Sequence, residues 1–582
     1  MTSDTSRFCG IDLGTTNSCI AVLEQGQPRV VPLDGQNTMP SMLAWKDGQW
    51  LAGTAARNHY VVAPQEAVIS IKRKMDDPGY RVELGGQQLS PVDVSAKILE
   101  ALVGAAQREL GEAVTRAVIT VPAWFQEQQR QATLEAGRRA GLDVLQIVNE
   151  PTAAAIAHER IQLDDGAQER WLVYDLGGGT FDVSLLNVTA ASYEVLASEG
   201  NTFLGGDDFD HRLVERFIAH LRDRYNVDAA GDVLARTRLR FLAENTKIQL
   251  SHQTEVTLHE PLTVGGDNVM LELRITREDF EALIGDLIDS TLDKAAQVLA
   301  DVNSQSREVD RLLLVGGSTR IPLVAERLKQ RFDIDPESWL DADLSVALGA
   351  CTRAAICCGE IFDRSVVDIC PHSLGIAAVG EEDHDEIVAP TSGRDHPLTF
   401  APLIRRYTRL PASFSRTFYK AHPSQKGAVV PVYQGENSNT RHNNFIGQFF
   451  IEFSQSRSEK LDVCFQYDVN GTIKIIVSEG SGGSRREFTM DLARSVSENS
   501  EDGGFGDNLT EHEQVGEDDS EDEARVTNFL IEKVSQKLEQ CQPAPEGIVE
   551  LMERYKDLLG REDADEQLDE LEDQLYEWVE DE

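Results

Sequence analysis

Asp12 and Asp175 each close an apolar run and precede Leu-Gly, a short loop of Gly and Thr, and a second apolar run. The segments are CGIDLGTTNSCIAVLE from Cys9 to Glu24 and VYDLGGGTFDVSLLNV from Val173 to Val188. This pattern predicts a tight β-hairpin with a polar tip. Glycines let backbone N–H groups approach an anion without a Cβ in the way, and Thr hydroxyls add donors, so each tip suits a phosphate. Taken alone, Asp12-Leu13-Gly14-Thr15-Thr16-Asn17 reads equally well as an ordinary turn. Its recurrence as Asp175-Leu176-Gly177-Gly178-Gly179-Thr180 points to duplicated halves closing on one polyphosphate, with the two carboxylates holding Mg²⁺ through water. No G-x-x-x-x-G-K-[ST] loop occurs, and GGGT between two strands is not the strand-to-helix setting of a dinucleotide fingerprint.

Two further residues have the right chemistry for phosphoryl transfer. Lys72, in AVISIKRKM, is either a solvated surface lysine or, in a phosphate cleft, the cation that neutralises developing charge or places the attacking water. Glu150, in VNEPTAAAIAHE, stands where a strand runs into a helix N-terminus. There it favours the helix dipole, and a carboxylate at a strand end also suits orienting water around Mg²⁺. A third strand-and-glycine unit, RLLLVGGSTRIPLVAERLKQRF, places Gly316 and Gly317 at another polar ligand edge.

The elements that must carry these residues alternate. From Met1 to about Phe362 the chain reads strand AVITV, helix WFQEQQRQATLEAGRRAG, strand DVLQIV and helix PTAAAIAHERI, with Pro151 in a first helical turn, where its missing N–H costs nothing. This is an α/β pattern. After Phe362 period-two runs take over, and LDVCFQYDVNGTIKIIV predicts two strands joined at Asn470-Gly471. An all-β domain is therefore expected to about Asp491. An acidic, Ser- and Gly-rich disordered tether and a short helical element should follow. The resulting division is 1–362, a linker at 363–371, 372–492, 493–524 and 525–582.

The 582 residues carry a formal charge of −44, which disfavours nucleic acid and anionic membranes as partners. Between Glu498 and Glu582 acidic residues outnumber basic ones 30 to 6. The first residues lack the basic and apolar regions of a signal peptide, and no apolar run approaches membrane-spanning length, so a cytoplasmic protein is expected. Eight cysteines without C-x-x-C spacing indicate buried thiols, with Cys357 and Cys358 facing a helix core.

Taken together, IDLGTTNS, IKR, VITVPAWF, QRQAT, VNEPTAAA, DLGGGTFD, FLGGDDFD, AENTKIQLS, VGGSTRIP, DICPHSLGI, PLIRRYTRLP and VYQGEN resemble the seventy-kilodalton heat-shock chaperones of the DnaK type, over about Phe8 to Asp491. DICPHSLGI, AHPSQ and VYQGEN look closest to the HscC branch. The resemblance implies an actin-like (ribonuclease H-like) ATPase domain, a β-sandwich that grips extended apolar segments of unfolded clients, and a helical lid. ATP and Mg²⁺ would be bound, with K⁺ as an additional ion. It implies that Lys72, Glu150, Asp175 and Thr180 are catalytic, and that Asp12, Gly14, Thr15, Thr16, Asn17, Gly177, Gly178, Gly179, Gly205 and Gly206 bind phosphate. Asp12 and Asp175 would flank Mg²⁺. Glu244, Lys247 and Ser251 would hold ribose and adenine, and Gly316, Gly317, Ser318, Arg320 and Asp343 would form the opposite wall, with Arg320 stacking on the base. Pro122, Arg130 and Asp368 would relay hydrolysis to the linker. Ile376, Val379, Phe418, Val430 and Leu461 would line the peptide cleft, although apolar strand positions are usually core.

Four departures stand out. Arg364 and Ser365 replace part of the usual aliphatic linker, which should weaken coupling. The resemblance implies a J-domain cochaperone as a partner, and Gln146, standing where many relatives carry an Arg that contacts it, puts that partner in doubt. An acidic insertion runs from Glu381 to Asp395, and the tail ends in WVEDE after a shortened lid. A sugar kinase or an actin-like filament protein would share the hairpins but not the β domain. A nucleotide-gated scaffold would keep the loops and lose the catalytic residues.

Overall fold

The computed structural model describes residues 7–158, 167–337, 341–360, 365–379, 398–420, 427–452, 460–468, 473–479, 485–490, 509–511 and three positions within 551–554. Both predicted hairpins form. Arg7–Leu13 pairs antiparallel with Asn17–Glu24, closing at Leu13 and Ser18, and Gln168–Leu176 pairs with Phe181–Thr189, closing at Leu176 and Phe181.

Each hairpin sits in a sheet of the same design. In the first, Arg7–Leu13 continues through parallel pairing to Val114–Val121 and then Asp143–Asn149, while Asn17–Glu24 pairs outward with Gln27–Val30. In the second, Gln168–Leu176 continues in parallel to Arg311–Val315 and Pro336–Glu337, while Phe181–Thr189 pairs outward with Ser192–Asn201. The helices repeat as well. Glu127–Arg139 and Glu150–Ala157 follow the parallel strands of the first half, and Pro322–Phe332 and Ser345–Cys357 those of the second. The central hairpin strands are buried along nearly their whole length, which is why they read as continuous apolar runs rather than alternating ones. Pro151 occupies the first turn of Glu150–Ala157, as its lost donor requires.

The linker is itself a strand. Ser365–Val367 adds a parallel strand to the second sheet, with Ser365 opposite Ser192 and Val367 opposite Glu194. Ser365 thus does not prevent pairing, because in this strand the backbone makes the contacts and Ser365 N–H donates to the Ala191 carbonyl at 2.8 Å. Beyond it lie two sheets. One orders Leu398–Ile404, Leu374–Val379, Gly427–Gln434 and Asn444–Glu452, and the other Ala412–Tyr419, Lys460–Tyr467, Ile473–Glu479, Arg485–Met490 and Leu509–Glu511. The hairpin expected around Asn470-Gly471 pairs as read, Tyr467 facing Ile473, although the turn itself lies outside the described residues. Both sheets share one apolar cluster centred on Phe418, Phe449 and Phe465.

Two expectations are corrected. Leu509–Glu511, assigned to a disordered tether, pairs antiparallel with the edge strand Arg485–Met490, whose outer backbone groups are open to a partner. Cys357 is exposed, since it falls in the last turn of its helix, whereas Cys9, Cys19, Cys351 and Cys370 are buried as expected. Of the residues expected to line a peptide cleft, Ile376, Phe418, Val430 and Leu461 are buried in the common cluster in this arrangement. Phe418 and Leu461 are direct cross-strand partners, so both point to the inner face that the two sheets close between them. Val379 belongs to the same strand as Ile376, but its side chain lies outside the described residues, as does the acidic insertion. A second compact unit, 497–507 and 514–582, contains the segment expected as a lid; its described positions Leu551, Met552 and Arg554 are helical. Among the described residues no helix is long and apolar enough to cross a membrane.

Candidate functional site

A cavity of about 400 Å³ opens between the duplicated halves. The two hairpin tips form its floor, contributing Asp12, Gly14, Thr15, Thr16 and Asn17 from one side and Asp175, Gly177, Gly178 and Thr180 from the other. Lys72 and Glu150 enter from elements 78 residues apart and meet at 2.6 Å, Nζ to Oε1, both buried. The far wall brings Glu244, Lys247 and Ser251 on Val233–His252 opposite Gly316, Gly317, Ser318, Arg320 and Asp343. Arg320 donates to Asp341 at 2.5 Å and Asp343 at 2.8 Å, which fixes its guanidinium at the rim.

Gly179, Gly205 and Gly206 do not line the cavity; they build the loop from behind. Gly206 N–H donates to Gly177 O at 3.0 Å and Asp207 N–H to Gly178 O at 2.7 Å. A Cβ on Gly205 would lie 2.7 Å from the Gly178 and Gly179 backbone, so only glycine lets the two segments meet. Gly177 N–H closes the tip on Thr180 O at 3.0 Å, Ser318 Oγ donates to Gly177 O at 2.8 Å, and Arg73 Nε donates to Gly179 O at 2.8 Å while its guanidinium pairs with Asp208.

The electrostatics call for a cation. Desolvation and nearby Glu150 push Asp12 up to about 7, partly offset by Lys72 and a 3.2 Å hydrogen bond from Thr120. Asp175 is driven well up by desolvation, then by Glu150, Asp182 and Asp12. Asp182 rises to about 7 for the same first reasons. Asp12, Asp175 and Asp182 thus crowd around the Lys72–Glu150 pair, and these three carboxyls resist ionising until positive charge arrives. Among the described residues no three His, Cys, Asp or Glu side chains converge on a common point, so a divalent ion here would be held through water and ligand oxygens rather than by a bare protein cage.

Sequence reading missed three acids. Asp182 ends the DLGGGTFD motif, and its Oδ1 accepts from Trp124 N–H at 2.8 Å. Asp207 and Asp210, in FLGGDDFD, line the cavity, and Asp210, pushed up to about 6 by burial, pairs with Lys247 at 2.9 Å. Their signal was repetition of Asp beside glycines already singled out. Arg57 was also unanticipated: it reaches Glu244, a cavity residue, at 2.6 Å from an adjoining small pocket, tying helix Thr54–Tyr60 of the first half to Val233–His252 of the second.

The residues expected as a relay are linked by hydrogen bonds. Pro122 follows strand Val114–Val121 and accepts from Phe125 N–H at 3.2 Å. Arg130 donates to Ala123 O at 3.1 Å, Phe125 O at 3.2 Å and Asn149 Oδ1 at 2.7 Å, and Asn149 Nδ2 donates to Asp368 at 2.7 Å. The β domain touches the same turn. His372 packs edge-on against Trp124 at 4.3 Å, Tyr407 Oη donates to Asp301 at 2.6 Å, and Arg406 pairs with Glu199 while lying 5.0 Å over the Trp124 ring. Gln146 is buried beside this junction and accepts from Arg353 Nε at 2.7 Å. A family model described as Hsp70 protein matches residues 8–77 and 74–581 of the chain.

Proposed function

Because the chain belongs to the Hsp70 family, we propose that it is an ATP-dependent chaperone of the DnaK type whose nucleotide state toggles affinity for extended apolar segments of unfolded proteins. The observation that carries this reading is the physical continuity between cavity and linker. Asp182, behind the second phosphate tip, holds Trp124, and the turn that contains Trp124 leads through Arg130 and Asn149 to Asp368. A change at the phosphate tips therefore has a hydrogen-bonded route to the strand that joins the domains.

In this reading the duplicated α/β domain is actin-like and binds ATP between its halves. Thr15, Thr16, Gly177 and Gly178 cradle the phosphates, while Glu244, Lys247, Ser251 and Arg320 contact ribose and base. Asp12 and Asp175 hold Mg²⁺ through water, supported by the unbalanced carboxyls around Lys72. Bound there, Mg²⁺ would neutralise phosphate charge. Lys72 and Glu150 position the attacking water, and Asp175 and Thr180 hold the opposite side of the reaction centre. Hydrolysis relaxes this grip, and docking of the β domain weakens.

Clients reach Ile376, Phe418, Val430 and Leu461 only if the two sheets part, because these side chains are core in the docked arrangement. Outside the core, Val429 and Phe450 are cross-strand partners and both exposed, an apolar surface open to client contact. A J-domain cochaperone remains part of the proposal: Arg353, bonded to Gln146, supplies a cation next to the position where the usual arginine is missing. Assignment to the HscC branch and a cytoplasmic location belong to the same proposal.

Single-turnover ATP hydrolysis by the full chain, with and without an unfolded apolar peptide, tests the reading. Peptide should accelerate hydrolysis and ATP should accelerate peptide release; no effect in either direction would leave an ATPase that is not this chaperone. A second expected result concerns Arg57. Its pair with Glu244 is part-exposed, so Arg57→Ala should speed ADP release only a few-fold, in keeping with the roughly 0.2–1 kcal/mol of such pairs. Stopped-flow displacement of a fluorescent ADP would measure this, and an unchanged rate would show that the Arg57–Glu244 tie does not hold the halves closed over the nucleotide.

A further inference from the structure

Glu127 opens the helix Glu127–Arg139 and is 1% exposed, although nothing in the cavity uses it. It lies at the seam between the α/β and β domains. Tyr467 Oη, from the β domain, donates to Oε2 at 2.8 Å, Gln131 Nε2 donates to Oε1 at 2.7 Å, and the Glu127 N–H donates to Gln434 Oε1 at 3.1 Å. Arg130, one turn along, directs its hydrogen bonds to Ala123, Phe125 and Asn149 instead. The other titratable groups facing it are Tyr467 and Asp468 from the β domain and Cys370 from the segment after the linker. A carboxyl is thus sealed in by the partner domain with hydrogen bonds and, among the described residues, without an ion pair.

We propose that docking of the β domain onto the α/β domain is proton-linked through Glu127, which takes up a proton as the seam closes and returns it to water as the seam opens. This inference rests on the reading that the two domains separate during the cycle. Desolvation accounts for the direction: it pushes Glu127 from its ordinary 4.5 up to about 7, against lowering contributions from Gln131, Tyr467 and Arg130. Above about 7 the docked seam must bury a carboxylate, and docking is disfavoured. As pH falls from about 7 toward 4.5 only the open form stays ionised, so docking strengthens. The phenol of Tyr467 can follow the change, turning from donor to acceptor. His372 acts in the opposite sense, since burial lowers it to about 4 and its docked ring is neutral, so it opposes docking only below its ordinary 6.5.

The test uses the full chain with Mg²⁺ and ATP. Protection of the Ser365–Val367 amides against hydrogen exchange, corrected for intrinsic pH dependence, reports the docked fraction. Between pH 8 and 6 the docked-to-open ratio, normalised to Glu127→Gln, should rise about tenfold, the effect of one proton titrating near 7. Tyr467→Phe removes a donor that favours the carboxylate, so it should move the midpoint upward. Identical pH profiles in the parent and Glu127→Gln, or an unmoved midpoint in Tyr467→Phe, overturn the proposal while leaving the chaperone reading intact. Linker amides that never respond to ATP overturn both.

Discussion

Replacing Lys72 by alanine should lower the single-turnover rate of ATP hydrolysis by roughly 10²–10³-fold while Mg²⁺-ATP still binds, because one preorganised charge at a reacting phosphoryl group contributes on that scale. Lys72 Nζ is buried 2.6 Å from Glu150, in a site where Asp12, Asp175 and Asp182 also press for positive charge. The same substitution strands Glu150 without its partner, so the nucleotide-free protein should also lose stability, by about 3–5 kcal/mol at most. The two effects can be separated. Lys72→Ala combined with Glu150→Gln should recover much of the thermal stability, since the uncompensated charge is gone, but none of the turnover. A Lys72→Ala protein that hydrolyses ATP as fast as the parent would falsify the catalytic assignment and leave Lys72 a structural ion-pair residue.

Gly349→Ala should be the most damaging methyl group that can be added to the α/β domain. Helices Glu150–Ala157 and Ser345–Cys357 cross at this glycine, one from each half, and a Cβ there would lie 1.7 Å from the Ala153 carbonyl oxygen. Backbone cannot yield as a side-chain tip can, so the helices must separate. A cost of about 3 kcal/mol or more is expected, at the upper end of overpacking effects. Gly285→Ala makes the contrast. Gly285 lies inside the helix Arg277–Asp301 with nothing within 4 Å of its would-be Cβ, so alanine there should stabilise by about 0.5–1 kcal/mol. Thermal unfolding of both variants decides the matter; equal melting temperatures would mean that the halves do not pack through this crossing. Because the crossing joins the halves that flank the cavity, weaker ATP binding should accompany the Gly349→Ala loss.

Much of the architecture was legible because it is written locally. Hairpins, the helix that begins with Glu150-Pro151, and the strand pair flanking Asn470-Gly471 depend on turn residues and on periodicities spanning fewer than twenty positions. The repeated Asp-Leu-Gly signature even betrayed the duplication, which the matching strand orders of the two sheets make explicit. Most of the cavity residues followed, since they ride on those same turns.

Other properties belong to tertiary structure alone. An apolar strand position reads the same whether it faces a peptide or a second sheet, and only the closing of the two sheets made Ile376, Phe418, Val430 and Leu461 core. Arg364 and Ser365 in the linker read as weakened coupling, yet Ser365–Val367 finds a sheet edge whose unpaired backbone groups accept it as a strand. Nor does any local pattern say that Lys72 meets Glu150, or that Glu127 is sealed by Tyr467 from 340 residues away. The sequence by itself determined which residues could bind phosphate and which segments could be strands or helices, because those choices are settled by backbone conformation and short-range periodicity. Tertiary structure decided which charges are paired, which are buried and which face a partner domain, because desolvation and pairing depend on what long-range packing brings within a few ångströms.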